Sequence, residues 1–355
     1  MEQIYDKIIK DYTNHTFDAN YYFYPNRKDF KDIYRTGIIN YNGKKYFFKI
    51  VENCDAIDEE KIEKTINPFN FHLVKKYGQK IWDKKQINLY EYIDAVNSNA
   101  YNFLRSKSTT FSEKEKISRQ FFHNCLSLYK STLTTTPPQV DEKNEQFFRG
   151  RCTKNERLFK YYGDNLILLE SDLTNLGYHN IFNFIRDNFN YGKHMKNTLY
   201  AYSHGDFHDF NFCTNGIFWD TDTFGYNSIL GDFTIYYWHF WGRENYLIPK
   251  YAPWHNSNMH DSLSKEERIQ IYSLKKTLIN DWWSFIYEAF KNINETDKLV
   301  KEFQFRVLCR IFLVDNVLKC DKIDRIKLYN YITHLKNCTI DSQGTFLFEN
   351  NPFNI

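Results

Sequence analysis

The segment His204-Gly205-Asp206-Phe207-His208-Asp209-Phe210-Asn211, continued by Phe212-Cys213-Thr214-Asn215-Gly216-Ile217-Phe218-Trp219-Asp220, constrains this chain more than any other part of it. Asn-Gly between aromatic and β-branched runs is the strongest short-range hairpin signal, because a two-residue type I′ turn needs positive φ at both central positions. A turn centred on Asn215 and Gly216 predicts that Thr214 faces Ile217, Cys213 faces Phe218, Phe212 faces Trp219 and Asn211 faces Asp220. Alternation along the ladder then makes Asn211 and Asp220 a non-hydrogen-bonded pair, with Cα atoms about 4.5 Å apart. An amide oxygen beside a carboxylate, with Asp206 just upstream, is a donor set for a hard cation such as Mg²⁺. His, Asp and Asn are also ordinary turn and cap residues. A lone His-Gly-Asp would specify nothing; the spacing and the turn together carry the reading.

The constellation resembles the catalytic segment of the aminoglycoside phosphotransferase and choline kinase family, relatives of the protein kinases. The family pattern is His-Gly-Asp-x-His-x-x-Asn, then a hairpin, then Asp. Here His204, Gly205, Asp206, His208, Asn211 and Asp220 meet it. Asp220-Thr221-Asp222 stands where the family has Asp-x-Glu or Asp-x-Asp, and Gly231-Asp232 where it has Gly-Asp, at the longer interval of the choline kinases. The resemblance implies that Asp206 is the catalytic base, that Asn211 and Asp220 bind magnesium, and that Asp232 braces the catalytic loop. His204 reads as structural and Asp209 as solvated; Asp222 is either a second metal contact or a surface carboxylate.

A second Asn-Gly pair, Asn42-Gly43, joins Tyr34–Tyr41 to Lys44–Val51 and places Thr36 opposite Lys49. Lys45, Phe47 and Lys49 share one face of that strand, and Tyr46, Phe48 and Ile50 the other. Lys49 resembles the strand lysine that holds nucleotide phosphates in kinase-like folds. Such a lysine normally pairs with a helical glutamate. In a helix starting at Asp58, the residues Glu59, Ile62, Glu63 and Ile66 share a face. Glu63 is the expected partner, with Glu59 behind it. Gly37 is the only glycine near the first turn, and Asn20 to Phe30 has none, so phosphate contact through a glycine-rich loop has no support here. The stretch Ile87–Asp94 reads as a strand with a polar exit. It resembles the link between kinase lobes, where the backbone of Glu91, Tyr92 and Ile93 would bond to adenine.

Helices are predicted over Ser112–Leu133, with Ser112 as N-cap and Phe121, Cys125, Leu128 and Tyr129 inward, one or two over Leu166–Phe189, and one each over Lys265–Asn292, Asp297–Cys320 and Lys322–Asn337. Tyr236–Trp241 reads as a buried helix beneath the catalytic loop. Asn245–Ser262 reads as a long loop of the kind often functional. Arg149–Arg157 is a basic stretch read as solvated. The order is strands and a helix, a linking strand, then a helix-rich half. The expectation is an α+β, bilobal, protein-kinase-like fold: residues 1–93 a small β-rich nucleotide-binding lobe, residues 94–355 a larger helical lobe carrying catalysis and acceptor.

Composition narrows the partners. A formal net charge of +3 with no long basic run argues against nucleic acid. No stretch approaches the roughly 20 apolar residues needed to span a membrane. Seven cysteines without a Cys-x-x-Cys pair, and a start without a signal-like segment, fit reduced thiols and a cytoplasmic location. Aromatics reach 19 %, so aromatic clusters are discounted as binding boxes unless position supports them. Trp238, Trp241, Trp254, Trp282 and Trp283 could form a cage for a quaternary amine, with core packing the default. Asp261, Glu266, Glu267 and Asp281 could meet a polycation, but resemble any helix surface.

Phosphoryl transfer needs positioning and charge neutralisation more than covalent chemistry. The chain is therefore expected to be an ATP- and Mg²⁺-dependent phosphotransferase acting on a hydroxyl of a small molecule: an amino alcohol, an aminoglycoside or a sugar. The alternative is a catalytically degenerate kinase-like protein that binds a nucleotide or a partner. A protein kinase proper is disfavoured, because His-Gly-Asp replaces His-Arg-Asp and no Asp-Phe-Gly or Ala-Pro-Glu brackets an activation loop. Oligomeric state has no sequence signal.

Overall fold

The computed structural model describes residues 1–14, 35–52, 58–94, 98–136, 166–195, 198–243, 263–314, 317–340 and 346–347. The glycine-free stretch 20–30, the basic stretch 149–157, the loop 245–262 with Trp254 and Asp261, and the side chains of Asp222 and Trp241 lie outside the described residues.

The front half is a four-stranded antiparallel sheet in the order β1 (Arg35–Tyr41), β2 (Lys44–Glu52), β5 (Lys85–Glu91), β4 (Lys76–Trp82). Asn42 and Gly43 have φ of 50° and 76°, as a type I′ turn requires, and Thr36 lies opposite Lys49. Phe48 and Ile50 on one face of β2 meet Ile87 and Leu89 of β5 and Ile4, Tyr5 and Ile8 of helix α1 (Glu2–Asn14) in a small core. Residues 2–14 carried no element in the sequence reading, although Ile4, Tyr5 and Ile8 recur at helical spacing. With α1 covering that face, Lys49 is left on the other.

Helix α2 (Glu59–Ile66) starts where expected, with the Asp58 side chain accepting the Lys61 amide at 3.0 Å. Its Ile62 and Ile66, with Phe71 and Leu73 of the chain entering β3 (His72–Leu73), belong to the large core of the second half although they precede residue 93. That half runs through α3 (Ala100–Arg105), α4 (Phe111–Thr132), a helix over 166–175 (α5), α6 (Phe182–His194), β6 (Tyr200–Ser203), β7 (Ile217–Phe218), β8 (Gly225–Ser228) and α7 (Ile229–Tyr237). It continues with α8 (Lys265–Lys291), α9 (Thr296–Cys309) and α10 (Lys322–Lys336). The capping box of α4 is Thr110 with Glu113, two residues before the predicted Ser112 and Glu115. Thr110 is preferred because its extended backbone lets Oγ1 reach the Glu113 amide. The inward stripe Phe121, Cys125, Leu128, Tyr129 is buried as predicted.

Helix α7 passes into a π-helical turn, Trp238–Arg243, and α9 into another, Arg310–Val314. Sheet first, linking strand β5, then helices around the Asp206 loop: the chain has a protein-kinase-like fold. Trp238, Trp282 and Trp283 are 0 %, 1 % and 3 % exposed, which makes them core and removes them from an aromatic cage. Among the described residues no helix is long and apolar enough to cross a membrane.

Candidate active site

The loop after β6 sorts its residues by job. Phe207, Phe212 and Phe218 are buried against Phe121 of α4; Phe121 and Phe212 stack at 4.3 Å and 9°. Each buried ring of this size contributes roughly 2–3 kcal/mol, so the loop is nailed to α4 by the residues between its polar ones. Gly205 has φ +83°, and a Cβ there would stand 2.4 Å from the Thr223 carbonyl oxygen.

The hairpin differs from its predicted register. The Gly216 amide donates to the Cys213 carbonyl at 3.0 Å, Cys213 to Ile217 at 2.8 Å, and Trp219 to Asn211 at 3.2 Å. Phe212 bridges Phe218, and Asn211 is paired with Trp219 rather than Asp220. The turn holds three residues, with positive φ at Gly216 (94°) but not at Asn215, the pattern of a type I turn closed by a glycine bulge. Tertiary docking accounts for the choice. The His72 amide donates to the Gly216 carbonyl at 2.9 Å and Val74 to Phe218 at 3.1 Å, so β3 lies parallel to β7. Asp220 follows in a left-handed conformation, φ 53° and ψ 53°.

His204 ties the two acidic positions together. Its Nδ1 accepts the Asp206 amide at 3.2 Å, and its Nε2, 2.8 Å from the Trp219 carbonyl, donates there. Both nitrogens are committed, and burial holds its pKa below the usual value, so the ring is neutral. The structural role read for His204 is the one it has. Asn211 donates from Nδ2 to the Asp206 carbonyl at 2.8 Å. Asp232, wholly buried, accepts the Gly205 amide at 3.3 Å and the Tyr129 hydroxyl at 3.4 Å.

Burial pushes the Asp232 carboxyl up to about 7 from 3.8. Between those values the folded chain binds the proton that the unfolded chain has released, so this group's contribution falls as pH rises through the window. The limit is about 1.4 kcal/mol per pH unit. Asp232→Asn, which keeps an oxygen for the Gly205 amide, is expected to flatten the urea midpoint between pH 4 and 7 relative to the parent chain. Parallel curves for the two proteins would refute the assignment.

Across the cleft, the Lys49 ammonium of β2 reaches Asp220 Oδ1 at 3.1 Å. The expected Lys49–Glu63 pairing is replaced by other contacts: Glu63 Oε1 accepts the Leu73 amide at 2.7 Å, satisfying a backbone donor on the way into β3. Glu59 meets Lys76 at 3.0 Å and the Tyr90 hydroxyl at 2.7 Å. In the link, the Glu91 amide donates to the Lys75 carbonyl at 2.8 Å, inside the first lobe. Glu91 is exposed, and Tyr92 and Ile93 are half-buried.

Around the Asp206 loop, Lys275, His239 and Arg310 escaped the sequence reading as site residues. Asp209 is buried and ion-paired with Lys275 of α8, which corrects its reading as solvated. Lys275 lies in register with Ile271, Leu278 and Trp282, and a lysine on an apolar stripe was the available signal. Arg310 Nη2 is 3.6 Å from Asp206 Oδ1 and 3.2 Å from His239 Nε2. His239 stacks on His208 at 4.1 Å and 15°. His239 and Arg310 lie within the two π-helical turns, a local unwinding frequent at functional sites.

The donors suit Mg²⁺. Asn211 uses its nitrogen on the Asp206 carbonyl, which turns its oxygen the other way, and the Asp220 side chain is 44 % exposed at the cleft. Among the described residues no group of three or more His, Cys, Asp or Glu gathers as a metal site. Mg²⁺ needs no such cage, since one or two carboxylates with phosphate oxygens and water complete its shell.

No family model matches the chain, and no curated protein matches its sequence. Among solved structures it is similar to an aminoglycoside-3′-phosphotransferase of type VIII: 10 % identity, 76 % of this chain and 98 % of that one covered, TM-score 0.35. It is similar to a spectinomycin phosphotransferase in complex with ADP and spectinomycin: 10 % identity, coverage of 83 % and 89 %, TM-score 0.37. It is also similar to a candidate aminoglycoside phosphotransferase from Ralstonia eutropha JMP134: 12 % identity, coverage of 92 % and 98 %, TM-score 0.39. Likeness at this level assigns no residue a role.

Proposed function

We propose that this chain is an ATP- and Mg²⁺-dependent phosphotransferase acting on a hydroxyl of a small molecule. The observation that carries the reading is the Lys49–Asp220 contact at 3.1 Å, which brings the sheet's phosphate-binding lysine to the hairpin acid next to the Asp206 loop. Lys49 offsets phosphate charge, Asp206 orients the acceptor hydroxyl and takes its proton as the oxygen attacks, and His204 and Asp232 hold the loop still. Asn211 and Asp220 would hold Mg²⁺, whose part is to neutralise phosphate oxygens. The backbone of Glu91, Tyr92 and Ile93 takes adenine, the Glu91 amide being engaged by the Lys75 carbonyl. Glu63 acts indirectly, by fixing the segment on which the hairpin docks.

The test is ADP release from MgATP over a panel of hydroxylated amines, sugars and antibiotics, with Mg²⁺ present and chelated. Lys49→Met is expected to lower kcat/KM by about 10² or more, the scale of a lost charge contact in the transition state. Full activity in that variant would refute the role of Lys49. A degenerate, binding-only protein is the second reading, favoured by Glu63 being engaged away from Lys49. It predicts nucleotide binding without ADP release for every acceptor.

A further inference from the structure

We infer that Lys275 is a positioning residue of the transfer reaction: through Asp209 it fixes where the catalytic loop lies along α8, and so where Asp206 points. This rests on the phosphotransferase reading above. The loop alternates. Phe207 and Asp209 both face α8: the Phe207 ring meets Trp282 edge-on at 5.2 Å and 85°, and Asp209 is ion-paired with Lys275. The alternate residues, Asp206 and His208, meet each other instead, His208 Nε2 being 3.5 Å from Asp206 Oδ2. They lie against Arg310 and His239 of the two π-helical turns. Lys275 and Trp282 are seven residues apart on one face of α8, about 10 Å along its axis. The helix therefore holds the loop at two points.

The two points differ in kind. Apolar burial is non-directional and tolerates sliding, whereas a buried ion pair has one short geometry. Lys275 is wholly buried and Asp209 nearly so. The Lys275 ammonium also lies 4.7 Å from the Phe240 ring, next to His239, and 5.8 Å from the Tyr101 ring. Tyr101 in turn donates its amide to the Asp209 carbonyl at 3.3 Å and stacks on Phe210 at 4.8 Å. The effect reaches Asp206 through His208. The Phe210 amide donates to His208 Nδ1 at 3.3 Å, which leaves the Nε2 proton facing Asp206. The peptide carrying that amide starts at Asp209, so a shift of Asp209 along α8 turns the imidazole that faces the Asp206 carboxylate. Stability alone does not account for the pair. Removing an ammonium and a carboxylate from water costs about what their attraction returns, and apolar residues of similar size usually serve folding as well. What the ion pair adds is a register.

The experiment uses the full chain, MgATP and four acceptors (choline, glycerol, glucose and kanamycin), carrying forward the one that stimulates ADP release most. Lys275→Met leaves the Asp209 carboxylate buried without this ammonium and should lower the urea midpoint. Adding Asp209→Leu removes the second charge and should bring the midpoint back to the parent's or above it. In that double variant kcat should stay down by about 10², the scale of a small misplacement of a reacting group, while the Kd for MgATP stays near the parent's. Asp209→Glu keeps both charges and lengthens the tether by one methylene. It should fold and still lose about tenfold in kcat, and it decides the matter if the double variant does not fold. Recovery of kcat together with the midpoint, full kcat in Asp209→Glu, or a kcat loss matched by an equal loss of MgATP affinity overturns the inference. Absence of acceptor-stimulated ADP release from the parent chain overturns the phosphotransferase reading itself, and the inference with it.

Discussion

Asp206→Asn is expected to lower turnover by about 10²–10⁴, the usual contribution of a positioned acid–base group, while MgATP still binds. The substitution changes charge and basicity and almost nothing else. Asn211 holds the Asp206 carbonyl at 2.8 Å and reaches its Oδ2 only at 3.4 Å, and His204 holds its amide, so the loop path survives. An amide oxygen can still face His208 and Arg310. Lys49 and Asp220 meet on the far side of the cleft and are untouched. Calorimetric titration with MgATP should therefore give a Kd near that of the parent chain while acceptor-dependent ADP release disappears. Retained release would remove Asp206 from the base role. Loss of both binding and release would mean that its carboxylate is structural, as counterion to Arg310.

What the sequence could reveal follows from how local each feature is. The two Asn-Gly pairs make the case. At Asn42-Gly43 the turn is solvent-exposed and decided by its own residues, and the register came out as predicted, with Thr36 opposite Lys49. At Asn215-Gly216 the same dipeptide lies under the segment 70–74, and a Cβ on Gly216 would be 2.3 Å from the Asn70 carbonyl oxygen. That docking is long-range, so the turn took one more residue and Asn211 moved opposite Trp219. Helices with clear stripes, such as α4 and α8, were legible because burial imposes a 3.6-residue period. Their caps were less so, since Thr110 and Ser112 are chemically alike and only backbone geometry chooses. The Lys49–Glu63 pairing failed for another reason: it assigned a half-buried carboxylate to a side chain when a nearer backbone amide, that of Leu73, also needed an acceptor. Arg310 was invisible as a site residue because nothing local to α9 tells that its C-terminal π turn ends at Asp206.

Gly205→Ala should cost roughly 3 kcal/mol or more of folding stability, the largest single effect expected from removing no interaction at all. Two terms add. A non-glycine residue in the left-handed region costs about 1–2 kcal/mol, and Gly205 sits at φ +83°. A Cβ there would also lie 2.4 Å from the Thr223 carbonyl oxygen and 2.9 Å from Asn227 Nδ2. Neither can retreat: Thr223 Oγ1 donates to the His204 carbonyl at 2.7 Å, and Asn227 Nδ2 donates to the Ser203, Thr223 and Gly225 carbonyls. Forcing such a contact in a packed interior costs a further 1–3 kcal/mol or so. Gly43→Ala separates the terms, since Gly43 has φ +76° with nothing within 4 Å of its Cβ position and carries the conformational cost alone. The two variants should differ by at least about 1 kcal/mol in urea unfolding. Equal losses would show that the close approach at Gly205 relaxes freely. The catalytic loop would then owe its shape to the hydrogen bonds of His204 and Asp232, and not to the absence of a side chain at position 205.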